Sequence, residues 1–476
     1  MSDVNAAESG REIRTYLSFS QPIDPAQVFT LADMDMSYAL AGTLVDWDDD
    51  KQILTGLASR WDASTKKALR FTLSEKARWS NGVAITSEDV KRSMERAKRT
   101  YGGDLKSLFD SIDQIVCIDS KTIEFRLHEE GSTLSVLKKL TEPMYGVLRV
   151  LPGDQIDLSV TTGPYFLSDS KPREVTLLKN HHWVHVDEGL ANQITLRQPK
   201  TGQDMQTTLM TDKWPNLVAS NSLMSESVIS SIQQHELKVW KRSLDRSFIL
   251  TPYNGRLNSP DGFQFFHFLQ SHLDRSILTR GLTGFTPSNQ LFPRGSRLNF
   301  GDTLSAGPSA QIPASIRGRQ LRILMSPDRV SPALKANFTE AFEKATGVAP
   351  IFHEVPLSQL SIAAKRGDYD FYFNAFGVSD PNVEAALSFF FELDPPTIPS
   401  GQGAQNFARR TAEVRSEKDE GKRLSSARSM LKDVVAYGHI VPLFQMSTVV
   451  IARPEMDLSQ VPETDECISF SKVRFR

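Results

Sequence analysis

Cysteine is nearly missing from this chain: its 476 residues hold two, Cys117 and Cys467. Two thiols cannot complete a thiolate zinc site or a disulfide framework, and a single bridge between them is the most they allow. No apolar run reaches the roughly 18 residues that a bilayer-spanning helix needs. Charge of one sign is lacking too. The 55 Lys and Arg stand against 57 Asp and Glu, so no global field draws the chain to nucleic acid or to an anionic membrane. There is no Walker-type loop, no Gly-x-Gly-x-x-Gly and no Gly-x-Ser-x-Gly elbow, which leaves nucleotide handling and serine-hydrolase chemistry without support. Met1 to Gly10 is polar and has no apolar leader segment. Two readings stay open on that start: a cytoplasmic protein, or an exported one after removal of its signal.

What is present is ordinary globular material, 39% hydrophobic and 24% charged, with length for about three domains at roughly 150 residues each. Leu69, Phe71 and Leu73 alternate with Arg70, Thr72 and Ser74, the period of a half-buried strand. Asn81-Gly82 marks a turn, and Thr86 three residues before Asp89 predicts a capped helix carrying Val90, Met94 and Ala97 on one face, stopped by Gly102-Gly103. Ile123, Phe125 and Leu127 alternate in a further strand. This stretch reads as a mixed α+β unit.

From Leu321 to Phe376 the pattern changes to strand, helix, strand, helix, strand. Ser331-Pro332 opens the first of these helices and Gly347 closes it. Such alternation predicts a parallel sheet covered by helices, with ligands beyond the carboxyl ends of its strands. Those ends are the loops 326–331 and 377–382. Leu424, Ala427, Leu431, Val434 and Val435 then form a helical stripe, followed by strand-like 439–444 and 448–452. Segments 299–311 and 394–405 read as exposed loops.

Several clusters invite a catalytic reading and do not sustain it. His181, His182 and His185 flank Trp183 without zincin spacing or an acidic partner nearby, so packed or surface histidines are the expectation. Asp46, Asp48, Asp49 and Asp50 mimic a calcium loop, but Lys51 and Leu57 stand where its glycine and bidentate glutamate belong. Cys117 lies in an apolar strand and reads as a small core residue. Phe263, Phe265, Phe266 and Phe268 read as core rather than as a ligand stack.

The order of local phrases resembles one family. Pro22-Ile23-Asp24-Pro25, Leu57-Ala58-Ser59-Arg60-Trp61, Trp79-Ser80-Asn81-Gly82 with Thr86-Ser87-Glu88-Asp89-Val90, Thr162-Gly163-Pro164-Tyr165, Asn180 with Trp183, Asp274-Arg275 and Val441-Pro442-Leu443-Phe444 follow the order found in the family 5 extracellular solute-binding proteins of ABC importers. That family includes the dipeptide- and oligopeptide-binding proteins. The resemblance implies an α/β, two-lobed periplasmic-binding-protein fold, type II-like, with an extra α+β subdomain in the N-terminal lobe. By analogy, lobe I takes 11–45, 161–250 and 441–476, the subdomain 46–160 and lobe II 251–440, with crossovers near 251 and 440. The function it implies is capture of a peptide-like or related small solute by hinge closure and delivery to a membrane permease. No catalysis, cofactor, metal or nucleic acid enters. A monomer in the periplasm or at the cell surface, its signal segment removed, is the expectation.

Two alternatives compete. One is an intracellular sensor of the same fold, although regulators of that kind carry a helix-turn-helix domain in front and there is no room for one before Leu17. The other is a peptide- or sugar-processing hydrolase, for which no nucleophile or metal constellation is present.

The resemblance also points to a substrate site at Arg329, Asn374, Phe376, Gly377 and Asp380. Peptide-binding members hold the ligand's ammonium group with an aspartate before an Asp-Pro or Glu-Pro phrase. Here Asn374-Ala375-Phe376-Gly377-Val378-Ser379-Asp380-Pro381 puts Gly377 at that place. A buried ammonium without a counter-charge is costly, so the expected ligand is acidic, amine-blocked or bound in a non-standard pose, unless Asp380 swings in. Arg329 falls where dipeptide binders place an arginine for a carboxylate. Pairing with Asp328 alone is the equally weighted alternative.

Overall fold

The computed structural model describes residues 10–17, 19, 21–25, 31–47, 52–65, 67–100, 107–128, 133–198, 214–220, 237–252, 255–282, 284–294, 296–301, 311–327, 330–377, 383–391, 404–417, 419–461 and 468–475. Cys467 and the Gly102-Gly103 stop lie outside them.

The first core gathers residues from both ends of the chain. Strand Glu12–Tyr16 pairs in parallel with Gln193–Arg197, and Glu174–Lys179 and Tyr165–Lys171 continue that sheet antiparallel. Ile13, Met36, Tyr165, Ile194, Leu217, Val450, Phe470 and Val473 are buried together against it. A second body, also α+β, packs a four-stranded sheet ordered Ala58–Asp62, Ala68–Leu73, Thr122–Leu127, Ile112–Cys117 against helix Ser87–Thr100. The predicted helix start is there: Asp89 Oδ2 accepts from the Thr86 amide at 3.0 Å while the Asp89 amide donates to Thr86 Oγ1 at 3.3 Å. Cys117 ends its strand half-buried rather than in the core, and burial pushes its thiol pKa up.

The phrases that carry the family resemblance tie these bodies together. Arg96, from the helix, reaches Asp24 with Nη2–Oδ2 at 2.6 Å and Nη1–Oδ1 at 3.1 Å, and its Nε donates to the Asp154 carbonyl at 2.7 Å. Both side chains of that pair are under a tenth exposed. Thr162 Oγ1 donates to the Val147 carbonyl and accepts from the Gly42 amide. Gly163 is obligatory by contact, because a Cβ there would meet the Leu40 carbonyl carbon at 2.6 Å. Asn180 Nδ2 donates to the Gly163 carbonyl and its Oδ1 accepts from the His182 amide.

The other half of the molecule is built on a mixed sheet. Arg322–Met325 pairs in parallel with Ile351–Glu354 and with Phe371–Gly377, as the alternating pattern predicts. Helix Pro332–Thr346 is capped by Ser331, whose side chain accepts from the Leu334 amide, and ends on Gly347 at φ 78°. Helix Pro260–His272 buries Phe265, Phe266 and Phe268 on one face of the sheet. Helix Glu420–Ala436 buries Met430, Leu431, Val434 and Val435 on the other.

Two long strands complete this sheet. Lys238–Thr251 pairs antiparallel with Phe371–Gly377 on one side and with Val441–Ala452 on the other. The two short strands expected over 439–444 and 448–452 are thus one, because Gln445, Met446 and Ser447 keep ladder partners in Ser247, Arg246 and Leu244. Arg275 anchors the junction: it donates from Nε to the Pro442 carbonyl at 2.8 Å and from Nη1 to the Gln270 carbonyl at 3.0 Å. Burial lowers its pKa to about 10.

Asp24→Ala is expected to destabilise the protein by about 3–5 kcal/mol, because it leaves the buried Arg96 charge uncompensated. Chemical denaturation measures this, and adding Arg96→Met should recover part of the loss. His439, buried beside Phe263 with ring centroids 4.7 Å apart, has its pKa pushed down to about 4 by burial and then by the nearby His267. The unfolded imidazole therefore binds protons that the folded one refuses, so stability falls as pH drops from about 6.5 toward 4. Melting curves of His439→Phe should lose that slope over this interval.

Candidate functional site

The site region lies where the parallel strands end and the long strands pass out of the sheet. Leu324 pairs with Tyr372, yet Phe371–Gly377 runs on to Gly377, whose ladder partner is Arg246. Gly377 and Arg246 thus lie beyond the last paired residues of the parallel strands, at the end of the sheet where ligands of such folds sit. Past Arg246 the long strand changes neighbourhood: Trp240 packs against the first core and Phe248 within the second. Between them the pairing with Val441–Ala452 shifts register twice, at Lys241/Leu244 and at Leu244/Arg246. The Glu420 carboxyl is held below its usual range, first by Arg297 and in smaller part by the charge of Lys138 of the α+β body.

The residues expected at the site have different fates. Gly377 is exposed at the strand end. Asn374 is half-buried within the strand opposite Ile249, and its Oδ1 accepts from the Ala375 amide at 2.8 Å. Phe376 is 7% exposed. Its ring centroid lies 4.9 Å from that of Phe389 and 5.5 Å from that of Phe292, among core aromatics rather than at the crevice. Arg329 and Asp380 lie outside the described residues. Arg246 escaped the sequence reading. Nothing in Leu244-Asp245-Arg246-Ser247-Phe248 marks it, and only the ladder brings it beside Gly377.

Of the remaining clusters, Asp48, Asp49 and Asp50 lie outside the described residues, and the histidine cluster stays at the surface. His181, His182 and His185 are exposed, and the Trp183 ring meets His185 edge-on at 5.4 Å. Among the described residues, no three His, Cys, Asp or Glu side chains are grouped to hold a metal, and no helix is long and apolar enough to cross a membrane.

Two bodies joined by a pair of long strands, facing one another across the end of a parallel sheet, define a two-lobed periplasmic-binding-protein fold. Solved structures share it over nearly the whole length. NikA from Brucella suis in complex with Fe(III)-EDTA superposes with a TM-score of 0.81 at 15% identity, covering 98% of this chain and 100% of that one. Haemophilus influenzae OppA in complex with RPPGFSPFR gives a TM-score of 0.77 at 15% identity, covering 98% and 99%. In sequence, residues 52–211 match the model for bacterial extracellular solute-binding proteins, family 5 middle. The periplasmic oligopeptide-binding protein OppA of Escherichia coli (strain K12) is 27% identical over 222 residues, which is 40% of this chain and 40% of that protein. The aligned stretch thus spans less than half of that relative. The chain thus shares the fold of these binding proteins, and over residues 52–211 it is similar in sequence to the family 5 solute-binding proteins.

Phe376→Ala should destabilise the protein by about 3–5 kcal/mol through the cavity it leaves among Phe292, Phe389 and Phe390. Equilibrium unfolding measures this. A loss under about 1 kcal/mol would place that ring outside the core.

Proposed function

We propose that this protein is the solute-capturing component of an ABC importer, closing its two lobes around a small solute and passing it to a membrane permease. One observation carries the reading. The chain passes between the two cores along the paired strands Lys238–Thr251 and Val441–Ala452, and their ladder shifts register between the cores. Register shifts bend and twist a strand pair locally, and a few residues that absorb backbone rotation are what a hinge requires. On this reading the lobes divide inside the strands, at 241–246 and 446–449. Lobe I holds the first core and the α+β body, which Arg96 ties to Asp24; lobe II is the remainder.

The proposed ligand is peptide-like or a related small solute, held at the end of the parallel strands, with Gly377 at the mouth. The protein acts without catalysis, as a monomer, in the periplasm or at the cell surface. Small-angle scattering and melting curves with a solute whose binding is established by calorimetry test the mechanism. The radius of gyration should fall, and at 100-fold excess over Kd the gain of about 2.7 kcal/mol should raise Tm by about 3 °C. A bound solute that changes neither quantity would overturn it.

A further inference from the structure

We infer that Arg246 is the anion-recognition residue of the solute site, and that the solute carries a carboxylate which its guanidinium holds. This rests on the solute-capture reading above and names the chemistry of its ligand. Arg246 is half-buried on the long strand, in ladder register with Gly377 on one side and with Met446 on the other. Neither neighbour offers an acceptor side chain. Met446 is buried in the lobe II core, and its other strand partner is Phe285. Several arginines elsewhere are committed, Arg96 to Asp24, Arg319 to Asp370, Arg410 to Asp433 and Arg474 to Asp187, whereas Arg14 Nε and Arg423 Nε are buried without a partner. Among the described residues no carboxylate or carbonyl oxygen pairs with the Arg246 side chain.

The half-buried Arg246 guanidinium has no protein partner among the described residues, so an arriving anion gains a charge-assisted pair without displacing an internal one. Its planar fork suits a carboxylate, which can accept two parallel hydrogen bonds. The place is also right for a ligand contact. Arg246 stands beyond the parallel strands and beside the Leu244/Arg246 register shift, so an anion held there sits where the lobes turn. The missing side chain at Gly377 then has a second meaning. A carboxylate at that position would lie one ladder step from Arg246 and neutralise it internally, whereas glycine leaves the cation to the solute.

Calorimetry of the full chain with matched pairs tests this: N-acetyl-dialanine against its C-terminal amide, and glutarate against glutaramide. An acid should bind and its amide should bind roughly 100-fold more weakly, or worse. Arg246→Gln should weaken the acid by a similar factor, and Arg246→Lys by less. Without solute, Arg246→Gln should melt no lower than the unsubstituted protein, because the lost guanidinium gives up no partner. Gly377→Asp should weaken the acid without lowering the melting temperature. The inference is overturned if no acid binds, if acid and amide bind alike, if Arg246→Gln keeps its affinity, or if that variant unfolds markedly earlier. The outcomes separate from those of the capture reading. A solute that contracts the molecule and binds Arg246→Gln undiminished leaves capture standing and removes the role of Arg246. An acid bound through Arg246 without contraction does the reverse.

Discussion

The antiparallel pairing of Lys238–Thr251 with Val441–Ala452 is the contact on which the rest of this molecule depends. One end of the ladder is buried with residues of the first core, Val450 and Ala452 among them, and the other end with Phe248, Leu250, Val441 and Phe444 of the second. Each end is held by apolar burial that the ladder alone could not supply. Between those ends, pairing is irregular and backbone hydrogen bonding is interrupted. Stiffness at both ends with a flaw between them is the arrangement that the proposed hinge closure needs, since rotation there would leave both cores undisturbed.

Local patterning made much of the fold legible. The Thr86–Asp89 cap, the strands around Phe71 and Phe125, the Ser331–Gly347 helix limits and the parallel strands at Arg322, Ile351 and Phe371 all follow from turn chemistry and side-chain period. The Phe263–Phe268 cluster was legible as core for the same reason. What escaped depends on long-range register. The continuity of Val441–Ala452 through polar Gln445 and Ser447 reflects partners some two hundred residues earlier, and no local window contains them. Of the proposed site, the sequence offers only an outline. The ends of the parallel strands identify the crevice, but whether a side chain there points to core or to crevice is decided by the sheet. Phe376, expected at the site but packed in the core, and Arg246, not named at all, both follow from that one reason.

The phrases shared with the family prove mostly to be joinery. Asp24 closes on Arg96, Asn180 on the Gly163 carbonyl, and Arg275 on the Pro442 carbonyl. Each is a buried polar group of one segment satisfied by another far along the chain, and an unsatisfied partner would cost more than the bond contributes. In each such pair, either half alone is a liability. Ligand contacts carry no such reciprocity within the chain, so a sequence can keep its joints and still change what it binds. On the proposed reading of the site, Gly377 is such a change, made while the joints elsewhere remain.

The first core, begun by Ile13 and Met36, is closed by Val450, Ile468, Phe470 and Val473. During synthesis the early lobe therefore waits, its apolar face unfinished, until nearly the whole chain has been made. The second core, from Phe248 to Met446, also needs the late strand through Val441, Leu443 and Phe444, and so closes only shortly before the first. A chain cut near residue 440 would lose closing residues at its opposite end and present an exposed apolar face to chaperones and proteases. Quality control at the far terminus thus guards the near one.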